Sequence, residues 1–425
     1  MPDVYTETTT RSWGGRIMDS FKGILFGFIL LLAAAILLWW NEGRAVEEYR
    51  TLAEGHKAVV PVSAERVDAA NEGKLVHVVG TAATTETLSD AELGVSTVAL
   101  RLRREVQMYQ WRERTESKSE RKLGGSEETV TTYTYEKVWA PGVNSSGGFK
   151  HPEGHENPAQ ARLKAEDWTA QKATLGAFQL TTSLTGRIDR FEPLAATAET
   201  LARVPEALRK DLKLAEGGYY LGADPAAPKV GDLKITLSAV KSADISVTAR
   251  QFGNSFEPYI SKAGGEIEML RMGRLSADTV FKQAEASNRG LTWLLRAVGF
   301  VVMWIGLALI LAPLGVLADV LPFLGTLVRL GTGAFSFVAA LAASLLIIVV
   351  AWLFYRPVIA VIILVLGAAA TWAVVHVIKS RRGAPGVAGT TATPAPGAPP
   401  ASPAPAPAQP RPASSSDANP PDSIG

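Results

Sequence analysis

The sequence predicts a multipass α-helical membrane protein with four spans and a large, strand-rich α+β extracytoplasmic domain between spans one and two. Three observations predict it. Apolar residues gather in four long runs, Ile24–Trp40, Ala297–Leu317, Phe335–Tyr355 and Val358–Ile378, and a helix needs about 20 apolar residues to cross a hydrocarbon core about 30 Å thick. Basic residues sit outside the first and last runs: Arg11, Arg16 and Lys22 before the first, Lys379, Arg381 and Arg382 after the fourth. Four spans put both termini on one side, and the positive flanks make that side cytoplasmic. Between the first two runs, the chain turns to a period-two pattern rich in Val, Thr, Tyr and Trp, the pattern of strands.

In chain order, residues 1–22 are expected to be a loose cytoplasmic lead-in and residues 23–40 the first transmembrane helix, with Phe21 and the Trp39–Trp40 pair at the interfaces. Lys22 followed by an apolar stretch and Ala33-Ala34-Ala35 also reads as a cleavable signal peptide. The apolar run continues through Ile36–Trp40, however, which favours an uncleaved anchor. Residues 41–290 are the extracytoplasmic domain, 291–317 the second span, 318–330 a cytoplasmic loop, and 331–355 and 358–378 the third and fourth spans. Arg44, Arg289 and Arg296 lie on the far side and oppose this orientation mildly. Residues 383–425 form a Pro/Ala-rich cytoplasmic tail, too poor in large apolar residues to offset the entropy of ordering.

Within the domain, Asn41–Leu52 is charged and continues as a helix leaving the membrane, while Asn71–Lys74 is the turn that opens the first strand, "LVHVVG". Val98–Trp111 and Thr129–Trp139 are the next strands. Leu100, Leu102, Val106 and Met108 share one face; Arg101, Arg103, Glu105, Gln107, Tyr109 and Trp111 share the other. Tyr133, Tyr135 and Trp139 line one face of the partner, and cross-strand aromatic pairs stabilise a sheet by up to about 1 kcal/mol each. "RTESKSERKLGGSEE" is expected as a long exposed hairpin loop. "FQLTTSLTGRIDRF" and "KITLSAVKSADISVTARQF" are strand-like, "AATAETLARVPEALRKDL" helix-like despite Pro205, and Ser276 starts a helix over Ala277–Ser287.

Chemistry is sparse. With 43 basic and 41 acidic residues the formal charge is +2, which points away from a nucleic-acid partner. The absence of cysteine excludes disulfides, thiolate metal sites and cysteine nucleophiles. The best metal candidate is His151-Pro152-Glu153-Gly154-His155-Glu156, two histidines with carboxylates in a loop. It is not HExxH, because Pro152 and Gly154 prevent the helix that motif requires, and a turn role is favoured. His77 reads as a core histidine, and His56 has no carboxylate at helical spacing. No nucleophile elbow, phosphate loop or dinucleotide fingerprint is present. No catalytic, cofactor-binding or metal-ligating residue is assigned, and no cofactor is expected. Asp319, Arg329 and Arg356 fall at span ends, unlike the buried charges of a transport path. Arg356, in the Tyr355-Arg356-Pro357 corner, is either a lipid contact or simply a charged turn. Ser336, Ser344 and Thr371 are the few polar groups at depth. Gly331, Gly333, Ala339, Ala340, Ala342 and Ala343 are small enough for close helix packing in the third span.

Several blocks, taken together and in order, carry a resemblance: "NEGRAVEEYRTLAEG", "NEGKLVHVVG", "LSD…GV", "LRLRREVQMYQW", "GHENP", "VGDLKITLS" and "FYRP". With the span layout, from about Trp13 to Ile378, the chain resembles the transmembrane protein 43 family, also called LUMA. The resemblance implies four spans and a large lumenal domain. Eukaryotic members reside in the endoplasmic reticulum and inner nuclear membrane, self-associate, and organise the nuclear envelope with lamins and emerin-type partners. It implies no enzymatic activity or cofactor. The cysteine-free, Ala/Pro-rich composition has a bacterial character, and a bacterium has no lamina, so only the membrane-scaffold part of that role would transfer. The expected function is a non-enzymatic membrane scaffold that self-associates, with membrane lipids, further copies and other membrane proteins as partners. The location is the inner membrane in a bacterium, or the endoplasmic reticulum and inner nuclear membrane in a eukaryote. The alternatives are a lipid-binding or envelope-stress protein and, further off, an extracytoplasmic hydrolase using the His151–Glu156 loop.

Overall fold

The computed structural model describes residues 3–215 and 217–382. The Pro/Ala-rich tail from residue 383 lies outside them. Seven α-helices occur among the described residues: α1 (Trp13–Ala58), the short α2 (Thr182–Gly186), α3 (Ala198–Arg203) and α4 (Glu206–Arg209), then α5 (Ala277–Ala318), α6 (Pro322–Tyr355) and α7 (Pro357–Arg382). Three of them, α1, α5 and α6, are long and apolar enough to cross a membrane. The fourth apolar run lies on α7. Residues to Leu364 form one compact unit, and from Val365 a second begins, of which the described part continues α7.

Two sheets build the domain. An eight-stranded sheet runs β1 (Asp3–Arg11), β7 (Glu127–Pro141), β6 (Arg101–Arg121), β14 (Leu233–Val240), β13 (Gly218–Leu221) and β12 (Leu212–Ala215), with β8 (Glu166–Thr169) on β6 and β11 (Glu192–Leu194) on β14. A seven-stranded sheet runs β10 (Phe178–Gln179), β9 (Ala173–Leu175), β3 (Leu75–Thr84), β15 (Ala243–Phe252) and β16 (Ser255–Glu257), with β2 (Val60–Ser63) parallel to β3 and β19 (Met269–Met272) on β15. Two small pairs complete the set, β4 (Thr87–Asp90) with β5 (Val95–Val98) and β17 (Tyr259–Ile260) with β18 (Glu266–Ile267).

The period-two face expected for β6 is its core face. Leu102, Val106 and Met108 lie opposite Ala239, Ile235 and Leu233 of β14 and bury with Tyr219 and Leu163. The second sheet buries Val76, Val78, Ile245 and Val247 against Phe178 and Phe256, whose rings stack at 5.2 Å. Each such aliphatic side chain contributes about 1.5–3 kcal/mol by leaving water. The Asn71–Lys74 turn forms as expected, with Gly73 at φ 75° before β3.

Several expectations are corrected, among them "FQLTTSLTGRIDRF", which is strand only over Phe178–Gln179 before the chain turns into the helix α2. Of the lead-in expected over 1–22, residues 3–22 are not loose: β1 pairs with β7 along its whole length, from Asp3 opposite Tyr135 to Arg11 opposite Glu127, and α1 starts at Trp13 behind a Ser12 cap. The long hairpin loop is instead paired strand as far as Arg121 opposite Glu127, leaving a turn over 122–126. Its polar side chains match across the strands, Ser117 with Thr131 at 3.0 Å and Ser119 with Thr129 at 2.8 Å. Residues 318–330 are mostly helix, because Pro322 opens α6 and leaves a corner of three residues. The helical stretch around Pro205 splits there into α3 and α4.

The bundle packs by close approach of α1 and α5. A Cβ on Gly27 would lie 2.7 Å from the Gly306 carbonyl oxygen, one on Gly306 2.9 Å from that of Gly27, and one on Gly299 2.6 Å from Leu38. The small-residue contact therefore lies between the first two spans. Of the residues named for the third, a Cβ on Gly331 or Gly333 would meet nothing within 4 Å, while Ala340 is buried against α1 and α5 with Ala34, Leu38 and Met303.

Candidate functional site in two polar layers

Each apolar run of α1, α5 and α6 ends at a polar layer. At the domain end the layer forms around Glu42, which is 1% exposed. Its carboxylate accepts Arg296 Nε at 2.7 Å and Nη2 at 2.8 Å, and Trp352 Nε1 at 2.8 Å. A buried carboxylate is tolerated only with such pairing, so the three spans are joined at one level. Next to it Asn41 donates to the Thr292 carbonyl, Arg44 donates to Asn288 and Thr292, and Asn288 donates to the Ala45 carbonyl. Gly43 is needed where Tyr355 crosses α1: a Cβ would sit 2.8 Å from its ring. The "NEGR" tetrad thus lies inside a continuous helix, on its protein-facing side.

At the other end the layer forms around Asp319, which is fully buried. Arg16 and Arg329 each reach it at 2.6 Å and Arg121 at 3.5 Å. Arg16 also donates to the Gly125 carbonyl at 2.6 Å, Trp13 Nε1 to that of Val316 at 2.9 Å, and Gly124 N–H to that of Val320 at 3.2 Å. Gly125 has φ 80°, and a Cβ there would strike the Trp13 ring at 2.5 Å. The tip of the β6–β7 hairpin is thereby fastened to the start of α1 and the α5–α6 corner. Asp319 and Arg329, placed separately at span ends by the sequence, are partners.

Arg16 to Glu42 spans 26 residues of α1, about 39 Å of helix. The domain joins the Glu42 end through Leu52, Ile267 and Phe281, yet its hairpin touches the Asp319 end. From Arg104 to Arg121, β6 covers about 56 Å at roughly 3.3 Å per residue, enough for that reach. The sheet contains residues from both 1–22 and 41–290, so an assignment of these segments to opposite sides of a bilayer requires the hairpin to run the height of the bundle.

The His151–Glu156 loop packs on β1 and β7. His155 is buried, with Nδ1 3.0 Å from the His151 carbonyl oxygen, Nε2 3.2 Å from Asp3, and its ring stacked 4.0 Å from Tyr135. Tyr135 donates to Glu113 at 2.5 Å and accepts the His151 N–H at 2.9 Å. Burial and the Glu113 carboxylate push its phenol up to about 12. His151 stacks on Tyr5, while Glu153 and Glu156 face solvent. No group of three His, Asp or Glu able to hold a metal ion occurs among the described residues. His77 is buried, and His56, without a carboxylate at helical spacing on its own helix, lies 3.5 Å from Asp278 of α5.

Long apolar helices closed by buried ion pairs at both ends, beneath a strand-rich domain, define an integral membrane protein. The family model described as Transmembrane protein 43 matches residues 108–357. The chain is 36% identical over 353 residues to Transmembrane protein 43 of Rattus norvegicus (80% of this chain, 86% of the rat protein) and 35% identical over 359 residues to that of Homo sapiens (82% and 88%). It is 30% identical over 353 residues to the homolog of Drosophila melanogaster (81% and 92%). The chain belongs to the Transmembrane protein 43 family. No solved structure matches it.

Proposed function

We propose that the protein is a non-enzymatic membrane scaffold that self-associates through its β1–β7–β6 ribbon and thereby organises other membrane proteins. The observation that carries this reading is the ribbon's reach to the Asp319 layer. Its strands are rich in Thr, Ser, Glu and Arg, and β1 is an open edge. Hydrocarbon cannot satisfy an open polar edge, and such backbone is tolerated at membrane depth only against protein or water. A second copy that covers the ribbon, or encloses a water-filled space with it, meets that requirement. The run Val358–Ile378 on α7 serves as a fourth span, with the Asp319 end cytoplasmic through Arg11, Arg16 and Lys22. The membrane is then the inner membrane of a bacterium, or the endoplasmic reticulum or inner nuclear membrane of a eukaryote.

The cysteine-free chain makes the test clean. Thr6→Cys, on the exposed edge opposite Thr132, is expected to react with a water-soluble maleimide in intact membranes and to cross-link into dimers on oxidation. A protein that stays monomeric in native membranes overturns the proposal, whatever its labelling.

A further inference from the structure

A cavity of about 270 Å³ opens beside the Glu42 layer, lined by α1, α5 and the α6–α7 corner. It sits where all three spans pass from apolar to polar: the α1 run ends at Trp40, the α5 run begins at Ala297, and α6 ends at Tyr355. This is the level of lipid phosphates in a bilayer, and Trp293 and Trp352, in its wall, are the residues that favour that level. Glu42 is already saturated by Arg296 and Trp352, and Arg296 lies against both tryptophan rings, at 4.9 and 5.7 Å. Two further guanidinia face the cavity, Arg289 from α5 and Arg356 from the corner. Among the described residues neither has a carboxylate partner. Arg356 also immediately precedes the first turn of α7, where unsatisfied N–H groups favour an anion.

The remaining charge in the lining is Glu285. Residues 285, 289 and 293 follow one another at four-residue spacing on α5, about 6 Å apart along one stripe. Outward from the bilayer the order is tryptophan, guanidinium, carboxylate. That is the order of acyl–glycerol, phosphate and ammonium in a zwitterionic aminophospholipid. We infer that this cavity is a headgroup site for a phospholipid carrying a primary ammonium, with Arg289 and Arg356 on the phosphate and Glu285 on the ammonium. The site stands on this geometry and does not depend on association between copies.

The test uses the full chain in nanodiscs of mixed lipid, with retained lipid measured by native mass spectrometry and phosphatidylethanolamine, phosphatidylglycerol and phosphatidylcholine as probes. Wild type is expected to retain phosphatidylethanolamine over both others. Arg289→Gln and Arg356→Gln should each lower that retention about tenfold, the worth of one charge-assisted contact, while Arg66→Gln, exposed on the domain, leaves it unchanged. Glu285→Gln should abolish the preference over phosphatidylglycerol yet keep a bound phospholipid. Equal retention of all three lipids by wild type, or unchanged retention in the Arg289→Gln/Arg356→Gln double variant, overturns the inference. So does displacement of the lipid by millimolar inorganic phosphate, which would assign the site to a soluble anion.

Discussion

Arg104 occupies the one charged position on the core face of β6, opposite Leu237 of β14. It is 1% exposed and donates to both oxygens of Asp90 at 2.8 Å, to Glu92 at 2.6 Å, and to the Lys164 carbonyl at 2.7 Å. Alternation in "LRLRREVQM" gave its neighbours their faces, but nothing local tells that position 104 meets an acid from another pair of strands. Asp90→Ala should cost about 3 kcal/mol, because it removes the one fully buried carboxylate paired with Arg104 and leaves only acids that face solvent, whereas Asp90→Leu with Arg104→Met should be nearly neutral. Denaturant unfolding of the detergent-solubilised protein, followed by tryptophan fluorescence, distinguishes the two. His77 carries the pH counterpart. Its Nε2–H donates to the Leu275 carbonyl, so Nδ1 accepts from the Thr248 hydroxyl. Burial lowers its pKa from the ordinary 6.5. The folded state then prefers the neutral ring while the unfolded chain takes up a proton. The stability this brings is present above about pH 6.5 and is lost as pH falls towards the folded value. The same unfolding assay run from pH 7 to pH 5 should show this slope, and His77→Gln should flatten it.

Among the elements, strands and spans were legible because their periods are local. The apolar runs on α1, α5 and α6, the core face of β6 and the Asn71–Lys74 turn are each set by residues within a few positions of one another. Long-range pairing was not legible. The 112–121 segment is polar on both faces, so no alternation marks it as strand, and only its register with β7 makes it one. β1 is hidden for the same reason, as a Thr-rich segment whose partner lies far along the chain. The glycine crossing was missed because Gly27 and Gly306 meet only after α1 and α5 are laid antiparallel. Gly306→Leu should separate these helices at a cost of roughly 1–3 kcal/mol or more, seen as a lower thermal midpoint in detergent. Gly331→Leu, in open space, should change it by less than about 0.5 kcal/mol. The two layers were half legible: the charges at the span ends stood out, but not which of them would pair.

At the scale of the whole molecule, the hairpin binds one end of the bundle to a domain seated on the other, and β1 closes its outer edge. This has a consequence for the order of synthesis. Thr6 pairs with Thr132, so the first strand made emerges about 126 residues before its partner. At roughly 5–20 residues per second, it waits on the order of 6–25 s while α1 is already entering the bilayer. The α5–α6 corner that fastens the tip comes later still, about two hundred residues after the hairpin. The N-terminal strand therefore has to remain unpaired and soluble for about 126 of the 425 residues of synthesis, and its run of threonines and charges, DVYTETTTR, suits a segment made well before its partner.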